Sequence, residues 1–93
     1  MVPSNEQIDE LMAVVFKREG YLLPHYCYDL ATLPDVLVAV MPYRREFDDE
    51  IGRMVVGSGG HVSAWSVLRL PMRSIVIAAL RALGRWPADW QAD

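Results

Sequence analysis

His25, Cys27 and His61 carry the softest donor atoms in the sequence, so metal or nucleophilic chemistry would have to be sought there. A structural zinc site takes four ligands in close pairs such as C-x2-C or H-x3-H. Here "HYC" at 25–27 is followed by a single distant histidine, and the pattern predicts neither metal nor cofactor. Cysteine–histidine catalysis needs thiol and imidazole within hydrogen-bond reach. Residues 25 and 27 would share a face only in a strand, and nothing around them favours the thiolate. Cys27 therefore reads as a small buried apolar group, and the chain as non-enzymatic.

The run "DDE" at 48–50 also invites an acid–base reading. Consecutive helical residues point about 100° apart, however, and Arg44–Asp48, Arg45–Asp49 and Asp49–Arg53 are i,i+4 pairs that account for the acids as surface ion pairs. Glu46 and Glu50 form a like-charge pair that either solvent or a cation would relieve. "GRMVVGSGGHVSAW" at 52–65 resembles a phosphate cradle only superficially. A Walker loop needs Gly-Lys-Ser/Thr, and a dinucleotide loop needs G-x-G-x-x-G between a strand and a helix. "GSGG" at 57–60 meets neither pattern, so it is predicted to be a hinge, with Gly57 ending one helix and Ser58 or Ser63 opening the next.

Arginine offers a stronger signal than these soft ligands. Residues 1–50 hold ten acids and four bases, whereas residues 51–88 hold five arginines and no acid. Such segregation is unusual for a mixed surface. On a helix that begins near residue 72, setting Arg73 at zero places Ile77 at about 40°, Arg81 at about 80° and Arg85 at about 120°, with Met72, Ile75, Val76, Ala79, Leu80 and Leu83 opposite. Arg69, Arg73, Ile77, Arg81 and Arg85 then form a partner-binding face with one aliphatic anchor, joined by Trp86 and Trp90 of the tail. The competing reading has the acidic helices of the same chain neutralise these arginines.

The elements that must position these residues follow from periodicity. Ser4 and Gln7 have capping-box spacing, and Ile8, Leu11, Met12, Val15 and Phe16 recur at helical intervals up to Gly20, which predicts a helix over 5–19 with Glu6, Asp9 and Glu10 on its solvated face. "YLLPHYCYDLATL" reads as a looped crossing. "PDVLVAVMP" is ambiguous: Thr32 and Asp35 could cap a short helix, while Val36, Val38 and Val40 alternate as in a strand, and the helix is preferred. Tyr43, Phe47, Ile51, Met54 and Val55 share a face of a helix over 43–56. A short segment over 62–70 is followed by a restart at Pro71 and a helix over 72–83 ending at Gly84. The two tail tryptophans should fold back on the core.

These elements predict an all-α, single-domain bundle of four to five short helices over 1–93. The alternative is an α+β fold with a small sheet from 21–28, 35–41 and 61–68. An apolar share of 53% with 23% charged residues is that of a globular chain. No apolar run approaches the ~20 residues of a membrane span. The acidic start and lone cysteine suit a cytoplasmic protein. The expected function is a non-enzymatic interaction module, an adaptor, inhibitor or assembly factor, whose partner is another protein or a second copy. Nucleic-acid binding through the arginine face of 69–85 is the alternative, weakened by an acidic isoelectric point near 5.2. A small enzyme or cofactor-binding subunit is the third reading.

Overall fold

A run of six consecutive residues, Ile75 to Leu80, is almost entirely withdrawn from solvent, and the rest of the chain is arranged around it. The computed structural model describes residues 1–16, 25–54 and 70–91. Within them lie helices α1 (Asn5–Val15), α2 (Leu33–Val40), α3 (Arg44–Met54) and α4 (Met72–Ala82), with 3-10 turns at Leu30–Thr32 and Met41–Tyr43. No strand occurs among the described residues. The hinge at 57–60, the segment over 62–69 and the sheet partner at 61–68 lie outside them, as do residues 17–24. The radius of gyration is 12.6 Å, close to the ~12 Å of a compact domain of this length.

The sequence explains where each helix starts. Ser4 Oγ accepts from Gln7 N at 3.2 Å, and Gln7 Oε1 accepts from Ser4 N at 2.8 Å, so the capping box forms in full. Pro34 and Pro42 each fall in the first turn of a helical segment, where a missing backbone donor costs nothing. Residues 30–54 thus run as one helical path that alternates 3-10 turns with α-helix. Pro71 precedes α4 with extended backbone, and its carbonyl accepts from Ser74 N and Ile75 N.

The valine-rich stretch is helical, and burial gives the reason. Leu33, Val36 and Val40 face the core at i, i+3 and i+7, while Val38, which strand alternation would bury with them, is 66% exposed. The sheet alternative therefore fails at 35–41, and residues 25–28 form a turn instead of a strand. The cap in front of α2 also differs from expectation. The Thr32 side chain caps nothing; its hydroxyl donates back to Asp29 O at 2.7 Å. Asp29 is the capping residue, its Oδ1 accepting from Ala31 N at 2.9 Å.

Helix α4 packs against α1, α2 and α3 at once. Its central residues carry small side chains at Ala78 and Ala79, which let neighbouring helices approach closely. It ends as predicted at Gly84, whose φ of 70° lies in the left-handed region. Gly84 N donates to Arg81 O at 3.1 Å and Arg85 N to Leu80 O at 2.9 Å, the paired bonds of a Schellman cap. The chain then reverses. Trp86 and Trp90 lie against the core, half-buried, and Gln91 N donates to Met1 O at 2.6 Å.

Both caps can be tested by urea denaturation. A Cβ at Gly84 meets nothing within 4 Å, so Gly84→Ala is expected to lose ~1–2 kcal/mol through backbone strain alone. Ser4→Ala should lose ~1 kcal/mol by opening the capping box. Wild-type stability in either variant would show that the cap contributes nothing.

Candidate functional site

The predicted arginine face is rearranged by the burial of α4. Ile77, expected as its exposed anchor, is only 2% exposed and belongs to the core. It cannot touch a partner. A helical wheel implies one wet side; α4 is instead surrounded along its middle, and its arginines sit at the two ends. Arg69 lies outside the described residues.

At the first turn of α4, Arg73 is turned inward, toward the start of the chain. Its Nη1 donates to Asn5 Oδ1 and its Nη2 to Pro3 O at 2.7 Å, so the guanidinium fork ties α4 to the entry of α1. This is a structural clamp. At the last turn, Arg81 Nε lies 3.1 Å from Glu50 Oε2, while Glu50 Oε1 accepts from Arg53 Nη1 at 3.1 Å. One carboxylate, with a side chain 15% exposed, bridges two arginines and couples α3 to α4. Glu50 thus faces cations of its own chain. The sequence held a hint of this, since Glu50 follows Phe47 by three residues and precedes Ile51, placing it at the border of the buried stripe of α3.

Beyond this bridge, the Schellman cap delivers the tail. Trp86 and Trp90 meet edge to face, with ring centroids 5.3 Å apart and an interplanar angle of 83°. The Trp86 indole N–H donates to Trp90 O at 3.1 Å, and Trp90 N to Pro87 O at 3.1 Å, so "WPADW" closes into a turn. Glu50, Arg81, Gly84, Trp86, Pro87, Ala88 and Trp90 line an open cleft of about 410 Å³. Arg85 stands exposed, with no ion pair among the described residues. Three of the predicted contacts, Arg81, Trp86 and Trp90, therefore line one cleft; Arg85 is their neighbour in sequence only, and Arg73 and Ile77 lie elsewhere.

A second polar cluster escaped the sequence reading. Asp9, assigned to the solvated face of α1, is 4% exposed. Its Oδ1 accepts from Cys27 N at 2.9 Å, and its Oδ2 lies 3.9 Å from Nδ1 of the exposed His25. The buried carboxylate pins the 25–28 turn to α1, and Tyr26 beside it stacks on Phe16 at 5.5 Å. Cys27 is buried, its Sγ 3.8 Å from Asn5 O. Among the described residues no three His, Cys, Asp or Glu side chains converge on one point that would suit a metal. The ion pairs on α3 follow the predicted i,i+4 spacing at Arg44–Asp48, 3.8 Å apart, but Arg53 turns to Glu50 at i,i+3.

Two measurements check these roles. Asp9→Ala should destabilise the fold by ~1–3 kcal/mol because it leaves the buried Cys27 N–H unsatisfied, whereas Asp9→Asn, which keeps an acceptor oxygen, should lose less. Equal losses would refute the hydrogen-bond role. A double-mutant cycle on Glu50 and Arg81 should give a coupling of ~0.5–1 kcal/mol, as suits a partly exposed pair, and zero coupling would remove the bridge from the account. No family model, curated protein or solved structure matches the chain.

Proposed function

We propose that the protein is a small, non-enzymatic interaction module that captures another protein at the end of α4, using Arg81, Arg85, Trp86 and Trp90. The observation that carries this reading is the cleft between the Arg81–Glu50 bridge and the tryptophan pair. Tryptophan and arginine are the residue types that dominate binding energy at protein interfaces, where an apolar ring is desolvated beside a directional cation. The lining itself carries one cation, Arg81, and one carboxylate, Glu50, and the exposed Arg85, next in sequence to the lining Gly84 and Trp86, adds a second cation, which suits a partner segment bearing carboxylates. Arg73 and Arg81 are bonded within the chain and Ile77 is buried. Among the described residues the row of free arginines that phosphate contacts require is thus not presented, which favours a protein partner.

The experiment is quantitative affinity capture from the native host with wild-type protein, Arg85→Glu and Trp86→Ala, with the mass and stoichiometry of each recovered complex measured. Arg85 is exposed, so its variant should keep wild-type thermal stability while recovering the principal partner at least about tenfold less efficiently. Trp86→Ala should lose the same partner. An unchanged set of partners with Arg85→Glu would exclude this surface. Recovery of nucleic acid that dissociates steeply with rising salt would replace the reading by the nucleic-acid one.

A further inference from the structure

The chain leaves α4 through one glycine and then has few ties to the helices. Gly84, with a φ of 70°, sits in open space, where a Cβ would meet nothing within 4 Å. Beyond it, residues 86–91 bond mainly to one another: the Trp86 indole N–H donates to Trp90 O at 3.1 Å, and Trp90 N to Pro87 O at 3.1 Å. Among the described residues, the only hydrogen-bond partner that 86–91 find outside themselves is Met1. Met1 O accepts from Gln91 N at 2.6 Å, and Met1 N donates to Asp89 O at 3.3 Å. The remaining attachment is apolar, through the half-buried rings of Trp86 and Trp90.

Met1 can hold the tail because it is itself held. Pro3 is fully buried and its carbonyl accepts from Arg73 Nη2 at 2.7 Å, after which Ser4 caps α1. Residue 1 is thus within ~7 Å of chain from a point fixed to the first turn of α4. The catch is slight, however. Met1 is 57% and Val2 54% exposed, so surface backbone bonds close it, and these exchange with water at little net cost. The amides of Ile75 to Leu80, by contrast, lie in a helix enclosed by α1, α2 and α3.

We propose that residues 86–91 are a flap, hinged at Gly84 and caught at the far end by Met1, which opens as one unit while the helices stay folded. Terminal segments are ordered only where they are tied down. Once the catch is released and the rings leave the core, two internal bonds cannot keep so short a turn closed. Trp86, Pro87, Ala88 and Trp90 of the flap line the cleft together with Glu50 and Arg81 of the helices. Opening therefore dismantles the cleft, and the first residue governs a site built near the other end of the sequence. The motion does not depend on what the cleft binds, and its measurement needs no partner.

Hydrogen exchange followed by NMR reads the flap directly, since its bonds protect Trp86 Nε1–H, Trp90 N–H and Gln91 N–H. These three should share one protection factor, at least about tenfold below that of the α4 core amides, because a local opening needs less free energy than global unfolding. Gln91→Pro removes the donor, and deletion of Val2 draws the acceptor away. Each should speed exchange of the Trp86 and Trp90 protons about three- to tenfold, the effect of one hydrogen bond, and leave the Ile75–Leu80 amides unchanged. Gln91→Ala keeps the backbone N–H of an exposed residue and should match wild type. Trp86 and Trp90 protons that exchange no faster in either variant would show that the catch holds nothing. Flap protons as well protected as those of α4 would show that the tail opens only with the whole fold. Either result overturns the proposal.

Discussion

Everything in this fold depends on the burial of α4. Its middle is enclosed by α1, α2 and α3, with Val76, Ala78, Ala79 and Leu80 fully withdrawn from water. Enclosure on all sides fixes where charge can go. An arginine in that middle would be stripped of solvent without compensation, which costs far more than any surface contact returns. Arginines therefore occur only in the first and last turns, where a long side chain can carry its guanidinium out to a carbonyl, an amide or a carboxylate. Arg73 and Arg81 occupy those two positions and, by bonding there, fasten α4 to α1 at one end and to α3 at the other. Two of the five arginines of residues 51–88 are placed by this arrangement.

Local chemistry made much of the fold legible. Ser4 with Gln7, Pro71 and Gly84 each act on the few residues beside them, so their effect can be read without knowing the rest of the chain. The helical period of α1 and α3 was equally readable because each has a single apolar face. Failures came where tertiary contact decides. Ile77 appeared to lie among arginines because a helical wheel assigns one wet side, and nothing local announces that a helix will be surrounded. Asp9 looked solvated for the same reason, since its burial depends on a turn eighteen residues away whose Cys27 N–H needs an acceptor. Val38 shows the converse. A strand-like alternation was undone by the i, i+3, i+7 burial of its neighbours, leaving it outside.

The candidate site follows the same division. Trp86, Trp90 and Arg85 were visible as residue types that a short tail has no local reason to carry. Glu50 was not, because its importance lies in two arginines, one on its own helix and one some thirty residues later, that meet only when α3 and α4 pack. The cleft is thus a product of a local reversal at Gly84 and a long-range ion bridge, and only the first could be seen in advance.

The Glu50 bridge has a thermodynamic consequence for recognition. An unrestrained arginine samples many rotamers and forfeits that freedom when it is captured, which erodes the gain from contact. Arg81 is already held by the carboxylate of α3, so its rotameric entropy is surrendered during folding, and a partner docking at the proposed cleft would meet a side chain already ordered.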